Sequence, residues 1–577
     1  MPASSADRPA IEAAGAPPAP TVAAARGNAA PPRGRFTRLR RYLRGLDHIG
    51  LVFALLAFLC SLTPSLLPRS WVLQGLVSGL SATAGYAIGV AVTEVGRRAG
   101  VPSLPARAHR RVRWGITGFA VIAVPAMLWL SASWQNDVRR AVAMPAQGHY
   151  LYLGVFAIGA AVFAGLIGLA RLFGDLYNAV LRRMRRFIPV PALRLLAAGL
   201  ITVLVVVLLN GALYHGLVLA ADHAFSSVDR RTDAGALPPS SPLRSGGPGS
   251  LVSWNSLGRT GRDFVSSGPT VSDIEQLTGR PAVAPIRVYA GASSAASLRS
   301  QAELVLAELK RTGAFDRPLL AVATTTGTGS IDPTLADPLE YMYGGDTAIA
   351  ALQYSHLPSW ISFIVDRTRA RQAGRTLFDE VYGYWADLPP DHRPRLVVCG
   401  ESLGTFGGSA AFSGVADLTT RTQGALFVGP PNSTDLWREL TDQRVPGSPE
   451  RLPVYGDGQT VRFAATPADL RAPDRSLPSP RAVFVQHASD PIVWWSTALI
   501  WTEPDWLAEP RGPDVVPAVR WYPLVTFWQI TCDMIISLQP PPGHGHHYGA
   551  EVPIAWAAIL HPPGWTDANT AALISPR

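Results

Sequence analysis

A serine hydroxyl becomes a useful nucleophile only when an imidazole can take its proton and a carboxylate holds that imidazole in place. Three stretches of this 577-residue chain supply such groups. Residues 397–404 read VVCGESLG, with Gly400 and Gly404 two places either side of Ser402. The apolar run before the serine and the small residues after it, GTFGGSAAFSG from Gly404, predict a strand, a sharp turn and a helix start. Glycines at those two places let neighbouring backbone approach a serine on a strained turn, and the helix points its positive end at it. Ser402 is the candidate nucleophile. The acid should follow at the end of a later strand and the histidine after that. In QHASDPIVWW, Asp490 stands three residues past an apolar run and just before Pro491, whereas the rival carboxylates Asp435 and Asp533 fall in helix-like contexts. The glycine-rich PPGHGHHYG favours His546 as the base, with His547 and His544 as alternatives.

A carbonyl attacked by an alcohol develops an oxyanion that needs two donors. The Leu403 amide follows the nucleophile directly, and the second donor is expected from TTTGTGSIDP, at Thr326 or Gly327. No Lys or Ser/Thr follows that turn at phosphate-loop spacing, so no nucleotide cofactor is expected. The histidine loop has no carboxylate or cysteine at ligand spacing, and Cys60, Cys399 and Cys532 form no CxxC pair, so neither a metal nor a disulfide framework is expected.

These side chains need a rigid frame. Six apolar runs predict strands: PIRVYAG (285–291), PLLAVATTTGTG (318–329), TAIAALQYS (347–355), RLVVC (395–399), GALFVG (424–429) and RAVFVQH (481–487). Amphipathic helices over 297–313 and 371–388 fall between them. Strands alternating with helices predict an α/β domain with a mainly parallel, doubly wound sheet.

The N-terminal part differs. A hydrophobic fraction of 48% is too high for an ordinary soluble enzyme, and the net charge of +10 comes mainly from arginines among apolar runs in the first 200 residues. That placement points to a membrane and away from nucleic acid. Five stretches are long and apolar enough to cross a bilayer: 47–67, 71–94, 114–133, 149–170 and 195–221. Alternate connections carry nineteen arginines against three, which predicts a cytoplasmic N-terminus and a catalytic domain on the far side. Asn210 and His215 in the fifth stretch are expected to make interhelical hydrogen bonds. The expected organisation is a disordered basic arm (1–45), an α-helical transmembrane bundle (46–224), a Pro/Gly/Ser-rich linker (225–262) and the catalytic domain (263–577). Within the last, Tyr354, Leu357, Trp360, Phe363 and Ile364, and separately Trp494, Trp495 and Trp501, are candidates for a lid, an acyl-chain wall or a bilayer-facing surface.

The succession of membrane spans, Pro/Gly linker, TGTGSIDP, ALQYSHLPSWISFIVD, GESLG, QHASDPIVWW and GHGHHYG resembles a bacterial membrane-anchored alpha/beta-hydrolase family common in actinobacteria. That family pairs a multi-pass N-terminal domain with an alpha/beta-hydrolase domain, and the resemblance covers about residues 45–570. It implies the fold and a serine nucleophile at Ser402, while the acid and base rest on chain order. The expected activity is hydrolysis, outside the cytoplasm, of an ester from a lipid or the cell envelope, acyl or aminoacyl. The expected partners are the lipid bilayer and that ester. The alternative is a catalytically inactive hydrolase-like scaffold or binding domain on a transporter-like membrane module. Few ionisable groups in the spans speak for it.

Overall fold

A computed structural model describes residues 45–101, 105–148, 152–184, 199, 224–358, 361–363, 367–470 and 480–575. The expected basic arm and nearly all of the fifth expected span, with Asn210 and His215, lie outside the described residues.

The first expected span is not one. Residues 47–67 yield only the 14-residue helix α1 (His48–Ser61), short of the roughly 20 residues a bilayer requires. Pro64 and Pro68 lack amide hydrogens, so the chain cannot continue as helix there. Three described helices are long and apolar enough to cross a membrane: α2 (Trp71–Arg98), α3 (Ala106–Ala141) and α4 (Leu153–Met184). The count is therefore three, not about five, among the described residues. Arg97 and Arg98 close the last turn of α2, where cations complement the helix dipole. Small residues allow close packing: a Cβ on Gly79 of α2 would stand 2.6 Å from Val162 of α4. Trp114, Ile122 and Trp129 on α3 and Leu153 and Phe173 on α4 are more than half exposed, an apolar surface that water solvates poorly.

From Ile49 onwards, helices and sheet pack as one compact unit. Seven strands, β1 (Ile286–Ala290), β2 (Leu319–Thr324), β3 (Thr347–Leu352), β4 (Arg395–Glu401), β5 (Gly424–Val428), β6 (Val461–Ala464) and β7 (Ala482–Val485), form one sheet in the order β1-β3-β2-β4-β5-β7-β6. Every pairing is parallel. Such strands are buried on both faces: in β4, Leu396 and Val398 join one core while Val397 and Cys399 join the other. Helices α5 (Leu298–Arg311) and α6 (Arg367–Asp387) lie between strands in the chain. Ser297 opens α5 by accepting from the Ser300 amide. The direction of winding reverses between β2 and β4, which opens a crevice beyond their C-terminal ends.

The Pro/Ser/Gly-rich run bears on this sheet. Arg287 and Ser245 amides donate to the Leu243 and Arg287 carbonyls at 3.2 and 3.1 Å. The Tyr289 amide donates to Ser245 Oγ at 3.0 Å. The segment thus covers the outer edge of β1, which would otherwise offer unpaired backbone groups.

The turn between α1 and α2 also packs into the sheet domain. Leu66 and Leu67 are fully buried within one of the two sheet cores. Helix α8 (Val525–Asp533; α7 is described below) grips that turn from the far end of the sequence. Gln529 donates to the Thr63 carbonyl at 3.1 Å, Ser65 donates to Asp533, and the Leu67 amide reaches the same carboxylate at 3.4 Å. Arg69 Nε lies 3.5 Å from Asp533 Oδ1, with both side chains wholly buried.

Candidate active site

Helix α7 (Leu403–Ser409) follows β4, and Ser402 stands at the junction with φ 56° and ψ −120°. Such backbone is sterically unfavourable for a residue with a Cβ, costing on the order of 1–3 kcal/mol. The surroundings impose it. The Ser402 amide donates to the Val428 carbonyl at 2.8 Å, and the Thr405 hydroxyl lies 2.7 Å from the Gly400 carbonyl and 2.8 Å from that of Val428. A Cβ on Gly404 would stand 2.3 Å from the Thr324 carbonyl oxygen, and one on Gly400 would stand 2.4 Å from Gly404. Only glycine lets strand, turn and helix close so tightly.

Asp490 lies beyond β7, wholly buried. One of its oxygens caps the short helix that begins at Pro491, accepting from the Ile492 amide at 2.8 Å. The other accepts from His546 Nδ1 at 2.6 Å and from the Tyr548 hydroxyl at 2.7 Å. The carboxylate fixes the imidazole proton on Nδ1, leaving Nε2 as the acceptor. Nε2 is buried and has no hydrogen-bond partner among the described residues. Its position relative to the serine follows from β5: Val428 holds the Ser402 amide, and a Cβ on Gly429 next to it would stand 2.5 Å from His546 Cε1. Ser402 Oγ makes no hydrogen bond to Nε2 here; in substrate-free enzymes this contact is often long.

The other expected groups go elsewhere. His547 Nδ1 faces the Pro540 carbonyl at 2.9 Å, and burial pushes His544 below the ordinary imidazole pKa. Asp435 pairs with Arg371 on the surface, and Asp533 holds the α1–α2 turn. Among the described residues no cluster of three His, Cys, Asp or Glu could hold a metal ion. The Thr326 amide donates to the Ser330 carbonyl at 3.0 Å, closing its own turn, so it is not available to an oxyanion. Gly327 belongs to the same turn, whose Thr324 and Thr325 carbonyls border Gly404. From the aromatic stretches, Phe363 meets Phe406 of α7 and Trp495 edge to face at 6.3 and 6.0 Å, an apolar wall beside the helix that follows Ser402. Trp494 is core and Trp501 is 68% exposed, while Trp360 and Ile364 lie outside the described residues.

Four titratable residues around the site escaped the sequence reading. Tyr548 is the second side-chain donor to Asp490, and burial holds its pKa well above the ordinary value, so it stays a donor. Burial, with Asp332 nearby, pushes the Glu401 carboxyl up to about 8, so it is mainly protonated at neutral pH. His487 and Glu551 form a second buried histidine–carboxylate pair at 3.1 Å. A carboxyl inside the GESLG turn was the one visible signal among these. Burial opposes the charged form of His546, yet the Asp490 carboxylate outweighs it and raises the imidazole above its ordinary pKa.

Two matches to known families accompany this geometry. Residues 286–573 match an alpha/beta-hydrolase family, and residues 62–269 match the N-terminal region described for an alpha/beta-hydrolase family. No curated protein and no solved structure matches the chain.

Proposed function

The chain belongs to an alpha/beta-hydrolase family, and from that premise we propose that it is a membrane-anchored serine hydrolase of carboxylic esters. Ser402 Oγ attacks the ester carbonyl while His546 Nε2 takes its proton. Asp490 orients the ring and stabilises the imidazolium. The Leu403 amide and a second donor from the turn after β2 hold the oxyanion. Collapse expels the alcohol, which leaves with the proton from His546. Water then attacks the acyl-serine by the same route in reverse, releasing the acid and restoring the hydroxyl.

One observation carries this reading: His546 Nδ1 is committed to a buried carboxylate and its Nε2 is left without a partner among the described residues, on a ring that packs against Gly429 beside the carbonyl that holds the Ser402 amide. Three long apolar helices support anchoring in a membrane; without the first expected span, the arginines of the basic arm fall on the same side as Arg139 and Arg140, so the arginine count does not assign the hydrolase domain to a side. Anchoring and the aromatic wall favour a lipid or cell-envelope ester, acyl or aminoacyl. Labelling of membranes with a fluorophosphonate probe tests the chemistry. Label on the wild type and none on Ser402→Ala is the expected result. Equal label on both proteins, or none on folded wild type, overturns it.

A further inference from the structure

We propose that His487 is a buried imidazolium that positions the loop carrying His546, a role that rests on the catalytic reading of that loop. His487 follows β7 and is 1% exposed. Its Nδ1 lies 2.8 Å from the Gly545 carbonyl oxygen and its Nε2 lies 3.1 Å from Glu551 Oε1. Both partners are acceptors only. A neutral imidazole has one N–H and would leave one of these contacts without a hydrogen; the doubly protonated ring satisfies both.

The two histidine–carboxylate pairs cross. His546 is on the loop and its acid Asp490 follows the strand; His487 follows the strand and its acid Glu551 opens helix α9 (Glu551–Leu560) just past the loop. Further bonds tie the same segments: the Gly545 amide donates to Ser489 Oγ at 2.8 Å, Ser489 donates to Asp514, and the Gly549 amide donates to Glu551 at 2.7 Å. The ring of His487 stacks on Tyr548, with centroids 4.3 Å apart. Gly545, whose carbonyl the imidazolium holds, directly precedes His546, so the grip fixes the base's own backbone.

The charged and titratable groups facing His487 are Glu551 from α9, Asp514 from the loop beneath Ser489, and Tyr548 and His544 from the histidine loop. Burial alone would lower the imidazole pKa, but Glu551, the Gly545 carbonyl and Asp514 together raise it. A raised folded-state value means that the stabilisation is complete at low pH and is lost as pH rises through it. His546 must be neutral to work, which sets an acid limb; loss of the His487 proton releases the Gly545 carbonyl and sets a separate loss of rate as pH rises.

The test uses the full chain in detergent, following fluorophosphonate labelling rate and melting temperature from acid to alkaline pH. In the wild type, both fall on the alkaline side. In Glu551→Gln the alkaline limb moves down by about one pH unit or more, as loss of an adjacent opposite charge requires, while the acid limb stays. Glu551→Asp restores the wild-type limb, and His487→Gln removes it. A labelling limb that coincides in wild type and Glu551→Gln overturns the proposal. An unlabelled wild type whose melting limb still moves in Glu551→Gln shows a different failure: the nucleophile assignment falls, and the His487 clamp stands.

Discussion

Asp490 accepts from an imidazole, a phenol and a backbone amide at once. The amide and the phenol hold the carboxylate in place, so what remains for it is to select the tautomer of His546. Asp490→Asn keeps the shape and loses the selection, and is expected to lower kcat by about 10⁴ with little change in KM. Tyr548→Phe removes one of three donors and should cost roughly tenfold, about 1.4 kcal/mol. Steady-state hydrolysis of a short-chain ester checks both. Because Asp490 raises the His546 pKa, the neutral base forms only above it, and the acid limb of the rate should have its midpoint above about 6.5. Chain order alone pairs Asp490 with His546, and the two side chains do meet. His487 was not legible, because a histidine ending a strand looks the same in sequence whether it faces water or two acceptors. Thr326 misled for a related reason: a turn's composition shows where donors are, not which are already used.

At the scale of elements, the glycines of the Ser402 turn are where sequence and geometry bind most tightly. Gly404→Ala would drive a Cβ into the Thr324 carbonyl, a backbone contact that cannot swing aside. It is expected to cost about 1–3 kcal/mol and to abolish fluorophosphonate labelling. Gly383, on the exposed side of α6 with open space where a Cβ would go, makes the contrast: Gly383→Ala should stabilise by about 0.5–1 kcal/mol with labelling unchanged. Thermal unfolding separates the two outcomes. Six of the seven strands were legible as apolar runs. The seventh, β6, was not: VRFA is four residues long and pairs along one side only, with β7, so its pattern is too brief to stand out. The first expected span failed through the opposite error. Its apolar run is long enough, but prolines end the helix and the remaining leucines serve a protein core instead of lipid.

At the scale of the whole molecule, helices and hydrolase domain share buried chemistry. Asp533→Asn would leave the Arg69 guanidinium buried without a counter-charge, which typically costs about 3–5 kcal/mol. A chain beginning at residue 225 would lose Leu66 and Leu67 from its core, and is expected to aggregate where the full chain in detergent stays monodisperse; size-exclusion chromatography distinguishes them. No sequence pattern announced this union, since the partners lie 468 residues apart in the bond from Ser65 to Asp533.

That separation sets an order of events during synthesis. Ser65 and Arg69 leave the ribosome hundreds of residues before Asp533 exists, so an arginine destined for a dry interior must first remain solvated or borrow another counter-ion. Long-range closure is slow, and here it comes near the end, when α8 and the histidine loop arrive together. Asp533, which faces Arg69, is followed 13 residues later by His546, the proposed base. A nascent chain halted before that point therefore carries a finished serine turn and no means of activating it.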